Sequence, residues 1–385
     1  MREVESFDAP TLAALALRSL TLHVFRATAR WRMLDDVVRG LRPTVRRLPA
    51  PPHVQRQLLA ALLEAANEVA RWDEKHAKMF PEDEPPAART SRAAHLLTFH
   101  DALVWDAGSL TIDDFRTAQR LVHDSLLDWP QLRFQFACCY AMVDVLENGR
   151  LFDAVRRRVF RRRLAGHPVF ELWLRLLDDP RRRAAVHVEE NRLLADQLCV
   201  QTLHFACTNG FVELARFFWG RLSPAQRESV GLLCWKKVCF RAASPAVVRF
   251  LCHELCALNP VGMLRLTWDS FYSKVFESLE KDYATNPRAY LENMKKLELL
   301  LNNWCPRLRN ALLLRDECRA LLDAFWRSNE GTFCLLLDHV DARLLPTARE
   351  VVERVFAKSR TDERRRLRDA LLRRLLTARE EWRGG

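Results

Sequence analysis

The stretch "TLHFACTNGFVELARFF", Thr202 to Phe218, carries the clearest local pattern in the chain. On both sides of Asn209-Gly210, apolar residues recur at the three- and four-residue spacing of a helix. Asn-Gly is a strong turn signal, because glycine adopts a left-handed backbone at no steric cost. The stretch therefore predicts two short helices joined by a tight turn.

Looser copies of this pattern occur elsewhere in the sequence. Arg216-Phe217-Phe218 aligns with Arg249-Phe250-Leu251 in the copy that follows directly. A further copy begins at Ala324, where Ser328 stands in the place of Gly210. Another is expected upstream, with Asn148-Gly149 on Asn209-Gly210. Repetition of this kind predicts helical hairpins stacked in series.

The opening stretch resembles the two helices of an ankyrin repeat. The family signature Thr-Pro-Leu-His-x-Ala is matched by Leu, His and Ala, while Gln201 and Thr202 replace its Thr and Pro. The resemblance implies a protein-binding scaffold, and it implies that His204 is a structural residue hydrogen-bonded to a neighbouring turn. The implied structural repeat residues are Leu203, His204, Ala206, Gly210, Leu214, Phe217 and Phe218. After Trp219 the ankyrin finger is absent, and Ser223-Pro224 with Gln226 predicts the capped start of another short helix.

We predict an all-α chain: an elongated array of stacked helical hairpins, an ankyrin-like α-solenoid, preceded by an N-terminal helical region. The few glycines and the many Leu, Ala and Arg favour helix over strand. Residues 1–79 form the N-terminal region, whose first helix is expected to end at Gly40, and residues 80–91 form an acidic, proline-rich linker. Residues 92–200 form helical hairpins with an Arg-rich surface, and residues 201–356 form the ankyrin-like repeats. A capping helix at residues 357–385 carries the stripe Leu367, Leu371, Leu375 and Trp382.

The formal net charge of +12 makes acidic partners a natural class to consider. Two arginine clusters are dense enough to form a binding patch for an acidic protein partner. The candidate residues are Arg156, Arg157, Arg158, Arg161, Arg162, Arg163, Arg181, Arg182 and Arg183. The same arginines fit phosphate contacts to nucleic acid or a nuclear-import signal. The structural alternative is a solvated helix face with Val159, Phe160 and Leu164 turned inward.

Catalysis and cofactor binding are not expected. The sequence has no nucleophile elbow, P-loop or dinucleotide fingerprint, and "HVEEN" at His187 lacks the second histidine of a zinc-protease helix. Cys252 and Cys256 lie one helical turn apart and would suit zinc, with Cys234 and Cys239 as the further ligands. Ordinary packing of these thiols in the repeat is the favoured alternative.

The compartment expected from the sequence is the cytoplasm or the nucleus. Glu3, Glu5 and Asp8 stand where an export signal carries positive charge. No membrane span is expected, because no long window is continuously apolar. An odd number of cysteines, 11, without framework spacing fits a reducing environment.

Overall fold

The structure, a computed structural model, describes residues 11–29, 34–79, 102–106, 109–123, 130–148, 152–178, 197–241, 244–272, 276–358 and 361–384. These residues form helices joined by turns. Their β structure is limited to an isolated antiparallel bridge between Trp105 and Ile112. The predicted all-α class is therefore confirmed for the described part of the chain, while the linker at 80–91 lies outside it. Contacts divide the chain into two units, residues 1–185 and 186–385, and the finer predicted boundaries stay predictions.

The first unit begins with three helices that pack together. They are α1 (Leu12–Ala29), α2 (Leu34–Arg46) and α3 (Pro52–Ala77). The long helix α3 contacts both of the others. Its apolar residues recur at helical spacing, so they share one face and are buried together. The larger side chains of that buried face are Leu58, Leu62, Val69 and Trp72.

The prediction that Gly40 ends the first helix is wrong. The first helix stops at Ala29, and Gly40 lies inside α2. A glycine within a helix costs about 1 kcal/mol relative to alanine. Val37, Leu41 and Val45 are buried on one face of α2, and each buried aliphatic side chain contributes about 1.5 to 3 kcal/mol. Burial of this face outweighs the glycine penalty, so the helix continues through Gly40.

The rest of the first unit is built from shorter helices around an aromatic cluster. They are α4 (Asp114–His123), α5 (Pro130–Cys139), α6 (Val143–Leu146), α7 (Ala154–Arg163) and α8 (Pro168–Asp178). Phe134 of α5 lies at the centre of the cluster. Its ring centroid is 5.0 Å from Phe160 of α7, 5.3 Å from Phe152 and 6.4 Å from Phe170 of α8. This cluster fixes α7 against α5 and α8.

A fully buried histidine links α3 to the end of α5. The Nδ1–H of His76 donates to the carbonyl oxygen of Trp72 at 2.6 Å, because a carbonyl can only accept. The Nε2 of His76 therefore accepts from the hydroxyl of Tyr140 at 2.8 Å. Burial lowers the pKa of His76 to about 3, and the positive charge of Lys75 acts in the same direction. The imidazole is thus a neutral, structural group at ordinary pH.

An ion-pair network joins α3 to the start of α4. Asp114 accepts from Arg71 and from Lys75, each at 2.6 Å. Burial alone would raise the pKa of the Asp114 carboxyl, but the two positive charges outweigh it and hold that pKa well below its usual range. Glu68 also pairs with Arg71 at 2.8 Å and accepts from the backbone N–H of Ile112. The network therefore fixes the segment that leads into α4.

The second unit consists of helices that pack in sequence order. They are α9 (Gln197–Asn209), α10 (Val212–Trp219), α11 (Pro224–Arg241), α12 (Pro245–Leu258), α13 (Pro260–Phe271), α14 (Glu277–Thr285), α15 (Pro287–Asn303), α16 (Pro306–Leu313), α17 (Arg315–Trp326), α18 (Glu330–Asp338), α19 (Leu345–Phe356) and α20 (Asp362–Gly384). Left-handed φ values at Asp316, Glu317 and Cys318 interrupt α17 near its start.

Two series of contacts run through these helices. In the first series α9 contacts α11, α11 contacts α13 and α13 contacts α16. In the second series α10 contacts α12, and α12 contacts α15. Adjacent helices such as α9 and α10, or α11 and α12, also pack against each other. The helices from α9 to α13 therefore each contact both a neighbour in sequence and a helix two or three positions away.

The turn predicted at Asn209-Gly210 joins α9 to α10. The N–H of Phe211 donates to the carbonyl of Ala206 at 2.9 Å, and Gly210 has a φ of 81°. This hydrogen bond and the left-handed residue before its donor define a Schellman helix end. The predicted core residues Leu203, Ala206, Leu214 and Phe218 are buried. His204 and Phe217 are half-buried, and the hydrogen bond implied for His204 stays a prediction.

The copy predicted at Ala324 has the same turn. The N–H of Asn329 donates to the carbonyl of Ala324 at 2.9 Å, and Ser328 has a φ of 55°. Ser328 thus adopts the left-handed conformation of the glycine that it replaces. In the copy aligned through Arg249, the core positions Val247 and Leu251 are fully buried, while its turn lies outside the described residues.

The upstream copy expected at Asn148-Gly149 stays a prediction. Gly149, the predicted turn residue, lies outside the described residues. The same turn is found between α5 and α6, where the N–H of Met142 donates to the carbonyl of Ala137 at 2.9 Å and Ala141 has a φ of 48°. The sequence "FACCYAMVD", residues 136–144, aligns here with "FACTNGFVE", residues 205–213. Sequence comparison centred on Asn-Gly does not find this turn, because alanine occupies the glycine position.

The capped helix start predicted at Ser223 is confirmed, but the length expected for the helix is wrong. The N–H of Ser223 donates to Oε1 of Gln226 at 2.8 Å, and the N–H of Gln226 donates to Oγ of Ser223 at 3.4 Å. The helix that follows is α11, which has 18 residues. No proline follows Pro224 within α11, so the helix continues into the region expected to start the next repeat.

The C-terminal helix α20 packs against α18 and α19. Leu367, Leu371 and Leu375 are buried, which confirms that part of the predicted stripe. The side chain of Trp382 lies outside the described residues.

Candidate partner-binding surfaces

The predicted arginine patch lies mainly on α7. Asp153 caps this helix, because its carboxylate accepts from the N–H of Arg156 at 2.8 Å. Phe160 and Leu164 are buried, as the structural alternative expected. The expectation that Val159 turns inward is wrong, because its side chain is 40% exposed. Only a narrow stripe of α7 faces the aromatic cluster, and the arginines occupy most of the remaining surface.

Part of the arginine charge on α7 is neutralised within the unit. Arg157 pairs with Asp178 of α8 at 3.0 Å, and Arg161 pairs with the same carboxylate. Arg156 lies 3.9 Å from the carboxylate of Asp153. Exposed ion pairs of this kind contribute at most about 1 kcal/mol to stability, but they lower the charge that a partner meets.

The positive charges of two arginines of α7 are not neutralised by a described carboxylate. Arg158 and Arg162 are exposed, and no carboxylate in the described ranges pairs with either one. Arg163 reaches the side-chain oxygen of Gln131 at 3.4 Å. The other predicted candidates, Arg181, Arg182 and Arg183, lie outside the described residues. The contribution predicted for these three arginines therefore stays a prediction.

A second basic surface, which sequence reasoning missed, lies between α10 and α12. This α10–α12 groove has a volume of about 560 Å³. It belongs wholly to the second unit, and the helices that form it are in direct contact. Its main lining residues are Arg216, Trp219, Arg227, Arg249, Phe250 and Glu254.

Aromatic rings form the apolar part of the α10–α12 groove. The rings of Trp219 and Phe250 meet edge to face, with centroids 5.8 Å apart. The guanidinium of Arg216 lies 5.8 Å from the centroid of Phe250, within the range of a cation–π contact. The groove thus places a positive charge directly beside an apolar surface.

A glycine of α11 allows Trp219 to take this position. A Cβ atom on Gly231 would lie 2.6 Å from the Trp219 ring and 2.7 Å from Leu255. Such distances are too short for carbon atoms, so a larger residue would displace the indole. Gly231 is therefore required by close packing behind the groove.

The groove carries more positive than negative charge. Its carboxylate, Glu254, accepts from the indole N–H of Trp219 at 2.8 Å. Arg227 donates to the carbonyls of Trp219 and Gly220 at 2.9 and 3.2 Å, so it stabilises the C-terminal end of α10. Arg216 and Arg249 have no paired carboxylate within the described part of the unit. Both guanidinium groups are therefore free to pair with an external anion.

One sequence signal could have located this groove. Arg216 and Arg249 occupy the same position in two successive copies of the sequence pattern. These positions lie on α10 and α12, the two helices that form the groove, so the two arginines share one surface. Alignment of the copies for their buried residues alone hides this feature.

The predicted zinc ligands do not come together as a set. The thiol of Cys234 lies beside that of Cys207 in the buried core, and their interaction raises the pKa of Cys207. The side chain of Cys239 lies outside the described residues, as does His187. Cys252 and Cys256 lie one turn apart on α12, as expected.

Comparison of the chain with protein-family models, curated proteins and solved structures gave no match. Among the described helices, none combines the length and apolar character needed to cross a bilayer.

Proposed function

We propose that the chain is a non-catalytic protein-interaction scaffold whose second unit binds an acidic segment of a partner protein in the α10–α12 groove. The observation that carries this proposal is the pair Arg216 and Arg249. They hold equivalent positions on successive helix pairs, and no described carboxylate neutralises them.

The helix contacts support an ankyrin-like array of stacked hairpins as the architecture of the second unit. First helices contact first helices, and second helices contact second helices, from α9 to at least α15. The same Schellman turn closes the hairpins at Gly210 and Ser328. In such an array each hairpin buries its apolar face against its neighbours and presents its variable positions outward. Outward positions are where partner-binding residues are expected.

The chemistry of the α10–α12 groove favours a carboxylate-rich peptide over other occupants. Guanidinium groups bind carboxylates with paired, charge-assisted hydrogen bonds. The half-buried Phe250 adds an apolar surface beside these charges, which suits a hydrophobic side chain flanked by acidic residues. A partner segment of this composition would fill both parts of the groove.

The buried free thiols support a reducing compartment as the place of action. Cys138, Cys207 and Cys234 are buried without a disulfide. Buried free cysteines are usual in the cytoplasm and the nucleus. We therefore propose one of these two compartments.

The test compares two charge-reversed variants of the full chain as affinity baits. Arg216→Glu with Arg249→Glu reverses the groove, and Arg158→Glu with Arg162→Glu reverses the same amount of exposed charge on α7. Partners with acidic segments should bind the wild type and the α7 variant but not the groove variant. Synthetic peptides from those segments should bind the groove variant at least about tenfold more weakly, a loss of about 1.4 kcal/mol. Equal retention by all baits, or loss with the α7 variant alone, would contradict the proposed surface.

Nucleic acid is the competing occupant, because phosphates also bind arginine. Mobility-shift assays with mixed RNA and DNA at low salt distinguish the two. Binding that falls steeply with salt and weakens in both variants would favour nucleic acid. No shift at low salt would leave the acidic protein segment as the ligand.

A further inference from the structure

Three thiols from separate segments of the second unit converge outside the α10–α12 groove. Cys252 and Cys256 lie on α12, and Cys305 immediately precedes α16. Their sulfur atoms all lie within 4.8 Å of one another. The sulfurs of Cys256 and Cys305 are 3.5 Å apart, and the N–H of Cys305 donates to the sulfur of Cys252 at 3.2 Å.

The fold brings these residues together for reasons that are visible in the chain. Residues four apart on a helix share one face, so Cys252 and Cys256 point the same way. Helix α15 packs against α12 and delivers the following connection to that face. Pro306 begins α16 and leaves Cys305 as its N-cap, with an extended backbone (φ −62°, ψ 145°). The cluster therefore depends on the packing of one helix pair against the next.

The surroundings favour a thiolate at Cys305. Cys305 is the N-cap residue of α16, so its side chain lies at the N-terminal end of that helix. A helix N-terminus stabilises negative charge, and the neighbouring Arg307 adds a positive one. Cys256 and Cys305 are half-exposed, so an ion in solution can reach the sulfurs.

We propose that Cys252, Cys256 and Cys305 bind one Zn²⁺ ion as thiolates, with a water molecule in the fourth position. Zinc–sulfur bonds of about 2.3 Å place tetrahedral sulfurs about 3.8 Å apart. The observed separations require movements of about 1 Å or less to meet this value. Within the described residues, no fourth histidine, cysteine or carboxylate ligand joins the group, which leaves the position open to water.

Binding of Zn²⁺ is accompanied by deprotonation of the three thiols. Three thiols release three protons to solvent as the ion binds, and the site then carries a net charge of −1 beside Arg307. The ion would tie α12 to the connection between α15 and α16, and so join successive helix pairs. This inference is independent of the proposed function, because none of the three cysteines lines the α10–α12 groove.

The test uses the reduced full chain, stripped of metal by chelation and then titrated with Co²⁺ and Zn²⁺. One equivalent of Co²⁺ should give thiolate-to-metal charge-transfer absorption and the visible bands of a tetrahedral ion, and Zn²⁺ should displace it. Cys305→Ser should weaken Zn²⁺ binding at least 100-fold. This variant should fold, because serine is a better N-cap than cysteine. Cys334→Ser, at another half-buried thiol of the same unit, is the matched control and should keep one equivalent.

Three results would overturn the proposal. One is wild-type Zn²⁺ affinity in Cys305→Ser. Another is weak Co²⁺ binding without charge-transfer absorption. The third is a disulfide between Cys256 and Cys305 as the stable product in place of metal binding, detected by mass spectrometry of the purified protein.

Discussion

The backbone N–H of Phe211 donates to the carbonyl of Ala206 at 2.9 Å, and this hydrogen bond closes α9 only because Gly210 takes a left-handed backbone. The same hydrogen bond recurs at Ala324 and at Ala137, with Ser328 and Ala141 in the place of the glycine. A left-handed conformation costs a residue with a Cβ atom about 1 to 2 kcal/mol. The three turns therefore share one geometry but differ in strain.

Exchanging residues at these turns should change stability in opposite directions. Gly210→Ala should lower the free energy of unfolding by about 1 kcal/mol, because alanine must then adopt a positive φ. Ser328→Gly and Ala141→Gly should each raise it by up to about 1 kcal/mol, since relief of strain exceeds the added entropy of the unfolded glycine. Urea denaturation followed by tryptophan fluorescence measures all three. A loss of stability in both glycine variants would show that the left-handed turns at those positions are not strained.

The sequence predicted the features that depend on local spacing. Leu203, Ala206 and Leu214 are buried because helical periodicity places them on one face, and that periodicity is visible without a structure. The capping pair Ser223 and Gln226 was predictable for the same reason, because its members lie within one helical turn. Gly40 was misjudged because burial along α2, and not the residue's own preference, decided the outcome.

Features that depend on contacts between distant residues could not be predicted. Cys305 lies 49 residues from Cys256, and only the packing of α12 against α15 brings them together. The partial neutralisation of α7 depends on Asp178 of a different helix. The α10–α12 groove likewise exists only once α10 packs against α12. Such contacts are set by tertiary packing, which a single sequence does not display directly.

Two glycines of the second unit should respond differently to the same substitution. Gly231→Ala should destabilise the unit by about 1 to 3 kcal/mol, because the new methyl group would collide with Trp219 and Leu255. Gly220→Ala is the matched control: its nearest neighbour to a Cβ atom is a carbonyl oxygen at 3.5 Å, and its φ of −59° suits alanine.

Gly231→Ala also tests the groove, because displacement of Trp219 should weaken binding of acidic peptides. Thermal or urea denaturation measures stability, and fluorescence anisotropy measures binding. Equal stability of the two variants would show that α11 can shift away from the indole.

Lowering the pH should destabilise the first unit through His76. The pKa of this buried imidazole is lowered to about 3 from an unfolded value of about 6.5. Its contribution to stability is present above pH 6.5 and is lost as the pH falls toward 3, because the unfolded state binds the proton first. Between pH 7.5 and 4.5 the wild type should lose about 2 to 3 kcal/mol relative to His76→Gln.

Denaturation of both proteins across this pH range measures the effect. His123→Gln, at an exposed position of the same unit, is the control and should follow the wild type. If the free energies of unfolding of the wild type and of His76→Gln change with pH in parallel, His76 is protonated as readily in the folded protein as in the unfolded chain.

Asp73, three residues before His76 on α3, should produce the opposite pH dependence. Burial raises the pKa of its carboxyl to about 7 from about 3.8, and its Oδ1 has no hydrogen-bond partner among the described residues. The protonated form is therefore favoured in the folded state. Its contribution to stability is present below pH 3.8 and is lost as the pH rises through 7, because the folded protein must then bury an unpaired charge.

Asp73→Asn removes that charge without changing the shape of the side chain. The variant should be more stable than the wild type at pH 8, by about 1 to 3 kcal/mol, and close to it at pH 4. Glu74→Gln, at the adjacent exposed position on the same helix, should show no such dependence. Chemical denaturation at both pH values, with hydrogen exchange of α3 peptides to identify the unit that unfolds, measures the difference. If Asp73→Asn destabilises the protein equally at pH 4 and pH 8, the carboxylate is paired in the folded state and the raised pKa is wrong.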